Sequence, residues 1–219
     1  MITYEQIRKD AAVKVYIEEA NRALGALGYT EHSFAHAGKV ADTAGAILFN
    51  LGYDSHTVEL AKIAGYLHDI GNVVNRVDHS QSGAVMAFRI LDKMGMEPLD
   101  IARIVSAIGN HDEGTGKPVT EIAAALIIAD KSDVRRNRVR NSDFSTFDIH
   151  DRVNYSVKSA TLRLDKDSKT IILTLETDPE FGSVMDFFEI FLVRMTMCKN
   201  AAQTLGLRFG LVINGQAVM

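Results

Sequence analysis

The stretch AGYLHDIGNV, Ala64 to Val73, carries an apolar helical run straight into a histidine and an aspartate set side by side. A buried carboxylate with nothing to compensate it costs roughly several kcal/mol, so any fold that hides Asp69 must bring a positive charge to it. The same demand recurs at Asp130, which ends the apolar run AAALIIAD. The chain has seven histidines, at positions 32, 36, 56, 68, 79, 111 and 150. Of these, His36, His68, His79 and His111 fall at the ends of apolar helical stretches or in the joints beside them. Two carboxylates and several imidazoles in such places are what a buried divalent metal site needs. Imidazole nitrogen with carboxylate oxygen suits Mn, Fe, Co, Ni or Zn, whereas Mg and Ca favour all-oxygen sites.

The rest of the pattern is helical up to about residue 140. Ile7, Val13, Ile17, Ala20 and Leu24 give residues 4–24 an amphipathic face, read as one helix. Ser33 is placed to cap a helix running to about Asn50, and Asp54-Ser55 opens another that ends at Gly71. Further helices are expected over 80–94, 98–110 and 119–135. After residue 155 the period changes to two: Leu162 and Leu164, then Ile171, Leu173 and Leu175, alternate with polar neighbours around the turn DKDSK. A helix from Ser183 to Leu205 and a strand LRFGLVI complete a ββαβ order. The expected organisation is a mainly α chain, with a helical domain over 1–150 and a small α+β subdomain over 155–219.

Composition excludes several classes. The single cysteine, Cys198, allows no internal disulfide and no thiolate cluster for zinc, and it reads as a packed thiol. A net charge of -4 gives no reason to expect nucleic acid or an anionic membrane as partner. The start, MITYEQIRKD, lacks the apolar core of a signal peptide, and the longest apolar run, Ile122 to Ala129, is too short to span a bilayer. A cytoplasmic location is expected.

The order His36, then His68-Asp69, then Asp130 resembles the HD-domain superfamily of metal-dependent phosphohydrolases. HAGKVADTA at 36–44 is similar to the family's first-histidine helix, YLHDIGNV to its doublet, and ADKSDVRR at 129–136 to the helix carrying the final aspartate. The resemblance covers roughly residues 25–140. It implies an HD-type helical bundle, with His36, His68, Asp69 and Asp130 as metal ligands. DHSQSGAVMAF and AIGNHDEGTG are similar to segments that give two-metal members extra histidines, which implies His79 and His111 as ligands to a second ion or as groups acting on the substrate. The implied cofactor is therefore one or two divalent transition-metal ions. The implied reaction is attack of a metal-activated hydroxide on the phosphorus of a nucleotide or other small phosphorylated molecule, with Asp69 bridging and Asp69, His79 and His111 catalytic.

The text departs from the subclasses. Members that hydrolyse cyclic di-GMP carry two histidines, a glutamate and a tyrosine-containing loop where this chain has Asn110-His111-Asp112-Glu113 and Gly114-Thr115-Gly116-Lys117-Pro118. Asn72 stands where that group has a lysine. Lys131, beside Asp130, with Lys117 and Asn72, is expected to meet the substrate phosphate. Arg135, Arg136, Arg138 and Arg140 read as a solvated face paired with Asp133 and Asp143. His32 reads as a surface imidazole, His56 and His150 as exposed or interdomain. A nucleotide sensor and a di-iron oxygenase on the same ligands are the alternative functions. The apolar width of the helix 183–205, with Phe187, Phe188, Phe191 and Leu192, predicts a homodimer to which the C-terminal unit contributes but gives no metal ligand.

Overall fold

The computed structural model describes residues 2–219. Its elements run α1 (Tyr4–Lys9), α2 (Ala11–Ala26), α3 (Phe34–Asn50), α4 (Ser55–Leu67), a 3-10 turn (Ile70–Val73), α5 (His79–Lys93), α6 (Pro98–Gly109), α7 (Glu121–Lys131), α8 (Ile149–Ser156), β1 (Val157–Asp165), β2 (Thr170–Thr177), α9 (Val184–Thr204), β3 (Arg208–Ile213) and β4 (Gln216–Ala217). The fold is mainly α with a small C-terminal sheet, as the periodicities predict.

Three boundaries differ from expectation. The first helix is two, because Asp10 turns extended and its carboxylate accepts from Ala12 and Val13 to cap α2. The helix opened by Asp54 stops at Leu67, and the segment to Val73 tightens into the 3-10 turn. The helix expected over 119–135 spans only 121–131, capped at its start by Thr120. Ser33 caps α3 as read, accepting from Ala35 N.

The axis of the bundle is α7, whose residues Ile122 to Ala129 are all buried. A helix apolar on every side has to be surrounded, and α3, α4, α6 and α9 all pack on it. Two glycines make close approaches possible. A Cβ on Gly65 would lie 2.7 Å from Ala41 Cα, so α4 can sit against α3 only with glycine there. A Cβ on Gly71 would lie 2.0 Å from His79 O, so the 3-10 turn abuts α5 only because Gly71 has no side chain.

At the C-terminal end the sheet order is β1-β2-β3-β4, with β1/β2 and β3/β4 antiparallel and β2/β3 parallel. The two-residue β4 is an addition to the expected ββαβ order. Between parallel β2 and β3 the chain must cross over, and α9 is that crossover. Ile171, Leu173 and Leu175 pair in register with Phe209, Leu211 and Ile213, and all six are buried. Met195, Cys198 and Ala202 of α9 belong to the same continuous core as the sheet and α7. Cys198 is a packing residue, its thiol pushed up to about 12 by burial. Among the described residues no helix is long and apolar enough to cross a membrane.

Candidate metal centre

Every predicted ligand sits where a helix starts or stops. His36 lies in the first turn of α3, His68 caps the end of α4, and Asp69 begins the 3-10 turn. His79 opens α5, His111 follows the end of α6, and Asp130 is the penultimate residue of α7. His36 and His68 are wholly buried, and His79 and His111 are 1% exposed.

The imidazoles share one arrangement. His68 Nδ1 lies 2.8 Å from Gly65 O, His79 Nδ1 3.0 Å from Arg76 O, and His111 Nδ1 2.6 Å from Ile108 O. A carbonyl oxygen only accepts, so each Nδ1 carries the hydrogen and each Nε2 turns inward. His36 does the same through a carboxylate, Asp133 Oδ2 at 2.8 Å. His32 Nδ1 meets Thr30 O at 2.7 Å.

The Nε2 atoms converge on Asp69, which faces both ways. Its Oδ2 lies 3.2 Å from His68 Nε2, 3.6 Å from His36 Nε2 and 3.8 Å from His32 Nε2. Asp130 Oδ1 closes that side, 3.4 Å from His36 and 3.6 Å from His68. Asp69 Oδ1 faces His79 Nε2 at 3.4 Å and His111 Nε2 at 4.0 Å. The two last Nε2 atoms stand 3.2 Å apart. Arg76 approaches the same edge, its Nη1 3.4 Å from His79 Nε2 and 3.9 Å from Asp69 Oδ1.

These distances fit a metal ion. Ligand atoms about 2.1 Å from an ion sit about 3.0–3.4 Å from one another. His36, His68 and Asp130 offer atoms within 4.8 Å of one another, and so do His68, Asp69 and His111. The Nε2 atoms of His36 and His68 are buried with no hydrogen-bond partner, which in a protein interior calls for an explanation. A cation at the centre supplies one.

Electrostatics point the same way. Burial opposes ionisation of Asp69, yet the His68 charge holds it well below the usual carboxylate range. Asp130 is likewise held down against burial, chiefly by Lys131. Burial favours a neutral His68, but the two aspartates overcome it and raise its pKa to about 10. His111 falls to about 3 through burial and the neighbouring charges of His68 and Lys131, and burial also lowers His79 and His32. His68, between the two aspartates, therefore draws in positive charge, while burial keeps His32, His79 and His111 neutral.

Several expectations need correction. Asn72 does not face substrate: its Nδ2 donates to Asp69 Oδ1 and Asp69 O, each at 2.9 Å, and so it orients the carboxylate. Lys117 is exposed on the loop before α7 and lies outside the walls of the cavity, because the turn at Gly114–Gly116 carries it away. Lys131 does border the cavity, paired with Asp130 at 2.8 Å and Glu113 at 3.0 Å, and these carboxylates raise its pKa against burial. Asp133 is not a surface partner; it is 2% exposed and binds His36, Arg135 and Lys39. Arg138 is buried, donating to Glu31 O and Asp133 O. His32 is no surface imidazole, since it borders the cavity beside Asp69. His150 stands exposed at the cavity's rim, and His56 pairs with Asp100 at 2.8 Å, away from the centre.

Residues 33–137 match the family model of the HD domain, a span that contains all six predicted ligands. This part of the chain belongs to the HD-domain superfamily. That family is one of metal-dependent hydrolases, and the cluster His36, His68, Asp69, His79, His111 and Asp130 lies within the matched span. The HD chain is 27% identical over 202 residues to an uncharacterized protein of Methanocaldococcus jannaschii, covering 82% of this chain and 77% of that one. It is 34% identical over 119 residues to ribonuclease Y of Mycoplasma mycoides, covering 54% of this chain and 26% of that protein. Against ribonuclease Y of Lawsonia intracellularis the figures are 34% over 132 residues, 58% and 24%. The chain thus spans about a quarter of the length of the ribonuclease Y proteins it matches. A solved structure of a predicted HD superfamily hydrolase from an uncultured Thermotogales bacterium aligns at a TM-score of 0.45 and 27% identity, over 57% of this chain and 67% of that one.

The cavity over the HD centre has a volume of about 390 Å³, within the usual range for a small-molecule site. Its far walls come from outside the HD span: Tyr29 and Thr30 before α3, Asp148, His150 and Asp151 at α8, and Phe191 and Arg194 of α9. The sequence pattern marks none of these. They reach the site through tertiary packing alone.

Proposed function

We propose that the protein is a metal-dependent phosphohydrolase that cleaves a phosphate ester of a nucleotide or another small phosphorylated molecule. The observation that carries this is the pair of buried, partnerless Nε2 atoms on His36 and His68, aimed at Asp130 Oδ1 and Asp69 Oδ2. His36, His68, Asp69 and Asp130 would hold a Mn, Fe, Co, Ni or Zn ion, and His79 and His111 with Asp69 Oδ1 a second. When bound, such an ion supplies Lewis acidity and a nucleophilic water at neutral pH.

The chain's own groups do the rest. Asp133 fixes the tautomer and direction of His36, as Asn72 fixes the carboxylate of Asp69. Lys131, kept cationic by Asp130 and Glu113, supplies positive potential where charge develops on a transferring phosphoryl group. If the second ion is absent, His79 and His111 act instead on the substrate, as phosphate contact and, once one of them has taken up a proton at Nε2, as proton donor to the leaving oxygen. The ribonuclease Y likeness, over 54% of this chain, makes a phosphodiester a natural second test substrate. We further propose a cytoplasmic location and a homodimer; Met185, Leu192 and Val193 of α9 are exposed, while Phe187 and Phe191 are used in the core.

The test is metal analysis of protein purified without chelator, followed by a screen of nucleotides, sugar phosphates and short oligoribonucleotides. Release of phosphate or cleavage that chelator abolishes and metal restores is the expected result. A metal-loaded protein that turns over none of these, but binds a nucleotide tightly, would replace the hydrolase with a sensor.

A further inference from the structure

Four cationic side chains border the cavity: Arg76, Lys131, Arg138 and Arg194. Arg138 is committed to Glu31 O and Asp133 O and is buried. Lys131 is buried between Asp130 and Glu113. Arg76 is engaged with Asn72 Oδ1 at 3.3 Å and with the edge of His79. Arg194 differs. It comes from the middle of α9, which lies wholly outside the HD span. Its Nε meets Glu113 Oε1 at 2.8 Å, and its guanidinium lies over the Phe191 ring, 4.9 Å from the centroid. Its side chain is 31% exposed, and among the described residues its one ion pair runs through Nε.

That geometry is pre-organised. A guanidinium held at Nε and on one flat face keeps the edge formed by its Nη groups for another acceptor. Planar pairs of N–H donors match phosphate oxygens two at a time, which a lysine ammonium does not. Because Glu113 and Phe191 already restrict the side chain, less rotamer freedom is left to lose when an anion binds. Glu113 also pairs with Lys131, which pairs with Asp130, so Arg194 stands three ion pairs from the metal-side carboxylate. The crossover that builds the C-terminal sheet therefore delivers a cation to the HD centre.

We propose that Arg194 is a substrate-binding residue that takes a phosphoryl group of the substrate, which gives residues 155–219 a part in recognition as well as in packing. The proposal rests on the phosphohydrolase reading for the nature of the ligand. It is tested without turnover, by calorimetric binding of inorganic phosphate to the metal-loaded full chain. Wild type, Arg194→Ala, Arg194→Lys and, as a control on the exposed face of β1, Arg163→Ala would be compared, with metal content measured on each.

Arg194→Ala should bind phosphate at least about tenfold more weakly at unchanged metal content, Arg194→Lys should recover part of the loss, and Arg163→Ala should match wild type. If a turnover assay is in hand, KM should rise in the same proportion while kcat changes little. Unchanged phosphate affinity in Arg194→Ala overturns the proposal. So does loss of metal in both Arg194 variants, which would make Arg194 a support for Glu113 and Lys131 and not a ligand. Failure of wild type to bind phosphate although it holds metal also overturns it. If wild type holds no metal, the phosphohydrolase reading itself falls first, so the two failures are told apart.

Discussion

The two sides of Asp69 are built from the same residue types to different effect. On the Oδ2 side, His36 and His68 face two carboxylates, and Lys131 pairs with Asp130 through its other oxygen, Oδ2, at 2.8 Å. On the Oδ1 side, His79 and His111 share one carboxylate oxygen already held by Asn72, and the Arg76 guanidinium lies against them. A dication needs anionic ligands nearby, and unit charges of like sign 4 Å apart repel by roughly 4 kcal/mol at an effective dielectric of 20. The Oδ2 side is therefore the stronger cation site, and the Oδ1 side fills later and more weakly, if Arg76 gives way.

The largest effect should come from the residue both sides share. Asp69→Ala and His68→Ala should each abolish hydrolysis and strip the metal. Loss of a mere supporting hydrogen bond typically costs about 10–100-fold in metal affinity, and a ligand should cost more. Full metal content and normal turnover in both variants would remove the basis of the comparison.

Asp133→Asn should fall in that smaller range, since it weakens the hold on His36 Nδ1 while leaving the ring in place. Chelator competition would measure it, with far-ultraviolet circular dichroism as a check, because Asp133 also binds Arg135 and Lys39.

The asymmetry itself is sharpened by His79→Ala and His111→Ala. If both sides fill, each should lower the metal-to-protein ratio from near two toward one. If the ratio is one throughout and activity still falls, the pair acts on the substrate. Arg76→Ala should move the second site the other way and tighten it, and calorimetric titration that shows no change would deny Arg76 the blocking part.

Much of this was legible beforehand. Asp69 and Asp130 announce themselves because each ends an apolar run, and their order with His36, His79 and His111 is a linear pattern on helix ends. The alternation after residue 155 likewise gives the strands and the helix between them. The supporting residues were hidden for physical reasons. Asp133 sits among arginines, which looks like a solvated face until α3 is seen to bring His36 against it. Asn72 looked like a substrate contact because only the tight turn after Asp69 aims it backward. Arg194 is 64 residues beyond Asp130 in sequence, and only the crossover of α9 onto α7 makes them neighbours.

A smaller effect is the pH response of protein stripped of metal. A histidine whose folded pKa is raised contributes stability that is complete below its unfolded pKa and lost as pH climbs through the folded one. For His68 that loss runs from about 6.5 to about 10. His111, lowered to about 3, works oppositely: the unfolded chain takes up a proton below about 6.5 that the folded chain refuses, so stability falls as pH falls. Thermal melts of the metal-free protein should therefore peak near pH 6.5, and metal should displace the His68 proton on binding below about pH 10. A melt that rises steadily from pH 6.5 to 10 would contradict this picture of His68.

The central claim is that this cluster is a metal site, and titration of chelator-treated protein with Mn, Fe, Co, Ni and Zn tests it most directly. The account predicts at least one tightly bound transition-metal ion per chain, lost in Asp130→Asn and in His36→Ala. Absence of any stoichiometric binding by the folded wild-type protein, across all five metals, would contradict it.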